Sequence, residues 1–110
     1  LNHWVIALVE GRAETVLLAE RLGIDPQRFL DIIDGGAMGP PYAKLKGTNM
    51  IERSYEPNFS LKLARKDAEL IAEVADDLPL VRLISERMAV AISVGHGDDD
   101  FSAIVEAGRT

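Results

Sequence analysis

The first 22 residues constrain this chain more than any other segment. Trp4, Val5, Leu8, Val9, Val16, Leu17, Leu18 and Leu22 recur at helical spacing but cover more than one stripe. A helix apolar over so much of its circumference needs neighbours on several sides, which predicts a central helix inside a helical bundle. Gly23 is placed to end it as a left-handed C-terminal residue. Gly11, near its middle, costs about 1 kcal/mol relative to alanine and marks an expected close helix contact.

The remaining punctuation divides the chain into further helices. Asp25 is an N-cap with Pro26 at the first helical position, and Phe29, Leu30, Ile32 and Ile33 give that helix an apolar face ending at Gly35-Gly36. Gly39-Pro40-Pro41 breaks the chain before a third helix over 42–52. Pro57-Asn58 separates it from a fourth over 60–77, and Pro79 opens a fifth that ends at Gly95–Gly97 with Val81, Ile84, Met88, Ala91 and Ile92 inward. One of Asp98, Asp99 and Asp100 caps a last short helix through Val105, and residues 106–110 are expected to fray. No strand-like alternation, repeat or low-complexity tract is present. The expected fold is one all-α domain over 1–110, a bundle of five or six helices.

Composition narrows the function classes. A formal net charge of −6 and 5% aromatic residues argue against non-specific nucleic-acid binding and base stacking. No apolar run is long enough to cross a membrane, and Arg12, Glu14, Glu20 and Arg21 interrupt the opening run, so it does not read as a signal peptide. The absence of cysteine removes disulfides and thiolate metal sites and fits a cytoplasmic location. No GxGxxG follows a strand, and no phosphate loop, CxxC or HExxH occurs, so the chain cannot hold a dinucleotide in the βαβ manner. Asp98-Asp99-Asp100 lacks the ligand spacing of a calcium loop and reads as a helix cap, leaving no metal site expected. His96 is assigned to helix carbonyls. Lys44 and Lys46, near Tyr42, are read as a solvated face, with phosphate contact as the alternative. Leu1 lies inside what reads as a helix, which suggests a domain from something longer.

Lys66-Asp67 carries the sharpest functional signal. Leu63, Asp67, Leu70 and Val74 share one face of the fourth helix, which sets a carboxylate in an apolar stripe and calls for an internal partner. Lys66 projects about 100° round the helix, toward an exterior site. Either Lys66 is one solvated charge among several and Asp67 pairs with a nearby helix, or the two serve a site. A second face of Ala64, Ala68, Ile71 and Ala75 suits a close helix approach, in the core or between two copies.

The chain resembles the C-terminal all-helical domain of the β-hydroxyacid dehydrogenases, which include 3-hydroxyisobutyrate dehydrogenase and tartronate semialdehyde reductase and are related to 6-phosphogluconate dehydrogenase. The resemblance rests on Asn2-His3-Trp4, Ala13-Glu14, Leu18-Ala19-Glu20, Leu22-Gly23-Ile24-Asp25, Met50-Ile51-Glu52-Arg53, Pro57-Asn58-Phe59, Leu63 to Asp67 and Gly97-Asp98 to Ser102. It implies an NAD- or NADP-dependent oxidoreductase of a small hydroxy acid, with an N-terminal Rossmann domain holding most of the cofactor and a homodimer as the assembly. Asn2 matches a substrate-binding Asn. The matching catalytic Lys would precede Leu1, so no catalytic residue is assigned and the chain alone is expected to be inactive. Lys66 matches a cofactor-facing Lys, Phe59 supports the same cleft, and Asp67 matches a structural anchor. Trp4 is assigned to core packing in preference to the pocket, and His3 to surface or packing in preference to substrate contact. A non-catalytic dimerisation module and a same-fold reductase of imines or sugar acids are the rival readings.

Overall fold

The computed structural model describes residues 1–109. Five α-helices lead into a terminal 3-10 helix: α1 (Asn2–Arg21), α2 (Pro26–Ile33), α3 (Pro41–Glu52), α4 (Leu61–Val74), α5 (Pro79–Ala91) and the closing turns Phe101–Gly108. The expected bundle and its order are therefore present. α1 packs against all four other α-helices and the terminal 3-10 helix, so it is central as expected, although Trp4, Leu18 and Leu22 of its apolar set stay exposed. Ile6, Val9, Ala13 and Val16 are fully shielded along it.

Local chemistry sets the helix ends. Gly23 adopts φ 74°, and Ile24 N–H donates to the Ala19 carbonyl at 2.9 Å while Gly23 N–H donates to that of Glu20 at 3.1 Å, which closes α1. The Asp25 carboxylate accepts from Gln27 N–H at 3.0 Å and starts α2. α4 stops at Val74, before the expected end at Asp77. α5 passes into one wide turn, Ile92–His96, where Val94 and Gly95 leave helical angles and Gly95 reaches φ 106°.

Three expectations fail. Gly11 faces open space, so it does not mark close packing. That position is Gly47 on α3, where an added Cβ would lie 2.9 Å from Leu30 Cδ2 and 3.2 Å from Arg12 Cδ. The apolar stripe of α4 points outward: Leu63 and Leu70 are each 51% exposed and Val74 88%. The small-residue face does the packing instead, with Ala64 and Ala68 fully buried where α4 meets α5. Finally, the C-terminal residues do not fray through Arg109. Glu106 and Ala107 are buried, and Glu106 is held by Arg53, Tyr55 and Arg109 (Thr110 lies outside the described residues).

A clasp around Asp100 fixes the start of α4. Phe101 N–H donates to the Phe59 carbonyl at 2.7 Å, Leu61 N–H to that of Asp99 at 2.8 Å, and Lys62 N–H to that of Gly97 at 3.0 Å. The Asp100 carboxylate caps the terminal 3-10 helix through Ser102 N–H at 2.9 Å and accepts from Asn58 N–H and Phe59 N–H at 3.1 and 3.2 Å. Its counter-ion is Lys46, whose ammonium lies 2.8 Å away. Lys46 is thus not on a solvated face; it is buried, with its ammonium 5.3 Å from the Tyr42 ring centroid. Lys44 pairs at the surface with Asp34 at 2.9 Å.

Candidate functional site

The start of α1 and the middle of α4 meet at one hydrogen bond. Asn2 Nδ2 donates to Asp67 Oδ2 at 2.7 Å. The two residues line a shallow hollow of about 440 Å³ with Leu1, His3, Leu70 and Ile71. Asp67 is half-buried, and its partner is the Asn2 side chain at the surface rather than a group inside the core. His3 lines the same hollow, one residue from Asn2.

Lys66 stands one residue before Asp67, outside the lining of that hollow. It is exposed, and its ammonium makes no ion pair or hydrogen bond among the described residues. Its cationic neighbours are committed: Lys62 pairs with Asp98, and Arg65 with Glu69 at 3.2 Å. Phe59 is half-buried, its ring edge-on to Phe101 with centroids 6.1 Å apart. It packs against the core cluster while its backbone joins the Asp100 clasp. Asn2 and Asp67 are therefore brought together, whereas Lys66, next to Asp67 on α4, and Phe59, in the lead-in to α4, lie outside the lining of the hollow.

Several other side chains take roles the sequence did not indicate. Trp4 is 63% exposed and so is not a core residue. His96 Nδ1 lies 2.8 Å from Asp99 Oδ2, a side-chain hydrogen bond rather than a contact with helix carbonyls, and its ring meets Tyr55 edge-on. The Asp98–Asp100 run divides its work: Asp98 pairs with Lys62, Asp99 with His96, and Asp100 with Lys46. Among the described residues no three His, Cys, Asp or Glu side chains gather as a metal site. Among the described residues no helix is long and apolar enough to cross a membrane.

Glu10 is the unusual titrating group. Burial pushes its carboxyl up to about 7, Arg87 opposes the rise and Glu14 adds to it. Oε2 is shielded with no hydrogen-bond partner among the described residues. Between pH 4.5 and about 7 the folded state retains a proton that the unfolded chain has lost, so stability falls as pH rises through that window. Partial exposure limits the effect to about 1–2 kcal/mol. Glu10→Gln is expected to remove that slope, so urea unfolding at pH 8 should show a more stable variant and unfolding at pH 4 little difference.

Residues 2–107 match the family described as the NAD-binding region of NADP-dependent 3-hydroxyisobutyrate dehydrogenase. The chain belongs to that family. Among curated relatives of this 3-hydroxyisobutyrate dehydrogenase family, glyoxylate/succinic semialdehyde reductase 1 of Arabidopsis thaliana is 37% identical over 111 residues, covering 97% of this chain and 38% of the relative. Reductase 2 of the same plant, chloroplastic, is 36% identical over 97% of this chain and 31% of its own length. The 2-hydroxy-3-oxopropionate reductase of Escherichia coli (strain K12) is 30% identical over 96% of this chain and 38% of its own length. A crystal structure of 3-hydroxyisobutyrate dehydrogenase from Salmonella typhimurium superposes with a TM-score of 0.81 at 23% identity, over 93% of this chain and 38% of the other. That likeness shows the shared helical fold. The chain spans about a third of the length of these relatives.

Proposed function

We propose that this chain is the substrate and dimerisation domain of an NAD(P)-dependent oxidoreductase acting on small β-hydroxy acids. A Rossmann domain of the same polypeptide would hold most of the dinucleotide, and a second copy would complete a homodimer. The observation that carries the reading is the Asn2–Asp67 hydrogen bond beside the uncommitted Lys66. By accepting one amide hydrogen, Asp67 fixes the plane of the Asn2 amide and leaves its carbonyl oxygen and second N–H free for a substrate oxygen. Lys66 is the α4 cation with charge to spare for the cofactor, and Phe59, edge-on to Phe101, braces the lead-in to the helix that carries it. The nicotinamide, when bound, supplies the hydride chemistry; these residues bind and orient. No catalytic residue is assigned within the chain. Relatives named as reductases of glyoxylate, succinic semialdehyde and 2-hydroxy-3-oxopropionate support a small acid as substrate. Exposed Leu63, Leu70 and Val74 beside the hollow offer apolar surface for the accompanying domain or second copy.

In the complete enzyme, Lys66→Ala is expected to weaken NAD(P)H binding about tenfold or more, read by cofactor fluorescence titration, and to leave the melting temperature within about 2 °C. Asn2→Ala should raise KM for the acid without altering cofactor affinity. Unchanged cofactor binding in the Lys66 variant would reject the assignment.

A further inference from the structure

A second hollow lies between α1 and α2, on the opposite side of α1 from Asn2. Its volume is about 340 Å³, and its walls include Trp4, Leu8, Phe29, Ile33 and Met38, with Arg12 among them. Trp4 and Arg12 lie about 200° and 280° round α1 from Asn2, so this hollow is separate from the one described above.

Arg12 does not fit its surroundings as a structural residue. It is only 6% exposed. Its guanidinium makes no hydrogen bond or ion pair among the described residues, and Nη1 is sealed from solvent with no partner. Its guanidinium instead lies over the face of Phe29, with Cζ 5.1 Å from the ring centroid. A buried guanidinium without an anion is strongly unfavourable, and no carboxylate lines the hollow. The placement is nevertheless built in: Gly47 lacks the Cβ that would press on the Arg12 stem.

The lining sets the ligand chemistry. Thr15 already donates its hydroxyl hydrogen to the Gly11 carbonyl at 2.8 Å. The side-chain donors left are the Arg12 guanidinium and the Trp4 indole, against apolar walls. One fixed cation matches a monoanion, and its planar fork matches a carboxylate. With a net charge of −6, the chain as a whole does not attract anions, so the local cation and the apolar walls must do the selecting. We propose that this hollow binds a small carboxylate with a short apolar tail, the carboxylate on Arg12 and the tail against Trp4, Phe29 and Met38.

Trp4 is the one tryptophan of the chain and reports directly on the hollow. Titration with hexanoate is expected to shift its fluorescence saturably, with hexanamide and inorganic phosphate each at least tenfold weaker. Arg12→Met should abolish the preference for hexanoate over hexanamide while far-ultraviolet circular dichroism stays native. If that variant does not fold, the hexanoate–hexanamide comparison on the unsubstituted protein decides alone. Equal binding of acid and amide, or of phosphate and hexanoate, would overturn the proposal. So would burial of Trp4 that depends on protein concentration and ignores hexanoate, which would assign the hollow to a protein partner. None of these outcomes bears on Lys66 or Asn2.

Discussion

Asp100→Ala is expected to destabilise the fold by about 3–5 kcal/mol, the range for breaking a buried ion pair from one side. The substitution strands the Lys46 ammonium in a site where both partners are essentially inaccessible. It also leaves the N–H groups of Asn58, Phe59 and Ser102 and the Ser102 hydroxyl without their acceptor. Burial works to raise the Asp100 carboxyl, but hydrogen bonds from Lys46, Ser102 and Asn58 outweigh it and hold the group at about 2. Its stabilising contribution is therefore complete above pH 3.8 and is lost as pH falls through about 2. Urea unfolding at pH 7 should show the full deficit, and the gap between variant and parent should narrow toward pH 2. Asp100→Asn keeps the shape and part of the acceptor set, so its loss should be smaller. Adding Lys46→Met to Asp100→Asn should recover stability relative to the single variant, because the orphaned cation goes with it. The same clasp holds the lead-in to α4, so these variants should also disturb the position of Lys66 and Asp67 in a way that Lys66→Ala does not.

The helices were legible because their signals are local. Asp25-Pro26, Gly23 and the proline breaks act within a turn or two, and each marks a boundary in the structure. The apolar residues of α1 implied its central place, though Trp4, Leu18 and Leu22 among them face outward. What a periodic pattern cannot tell is which of two faces turns inward. On α4 the larger side chains, Leu63 and Leu70, suggest the buried face, yet the fully buried positions are Leu61, Ala64 and Ala68, and α4 packs chiefly against α5. Lys46 is buried because its register on α3 outweighs its charge. Ala43, Gly47 and Met50 are spaced i, i+4 and i+7, and Lys46 lies among them on the buried face. Its partner Asp100 is 54 residues away, beyond any local pattern. Asp67 stands out by its place in the α4 stripe and Asn2 only through family resemblance, and their hydrogen bond spans 65 residues that periodicity alone does not connect.

Glu106→Ala is expected to cost about 3 kcal/mol, a loss that would not arise if the C-terminal turns were frayed. The carboxylate is 3% exposed and accepts from the Tyr55 hydroxyl, from Arg53 and, at 2.7 Å, from Arg109 Nη1. Burial again opposes ionisation, and the donors from Tyr55, Arg109 and Arg53 reverse it, so the carboxyl lies below its ordinary 4.5. The stabilisation it confers is present above pH 4.5 and declines as pH drops through the lower folded value. Arg109 keeps Glu20 at 2.6 Å and the Met50 carbonyl at 3.2 Å, which places the loss below that expected for Asp100. Glu106→Gln preserves the volume and one acceptor and should lose about 1–2 kcal/mol. Thermal unfolding of the two variants at pH 7, compared with Tyr55→Phe, separates the charge from the single hydroxyl bond. A Glu106→Ala protein as stable as its parent would mean that the terminal 3-10 helix is held by Phe101, Ile104 and Val105 in the core, with the polar network adding nothing.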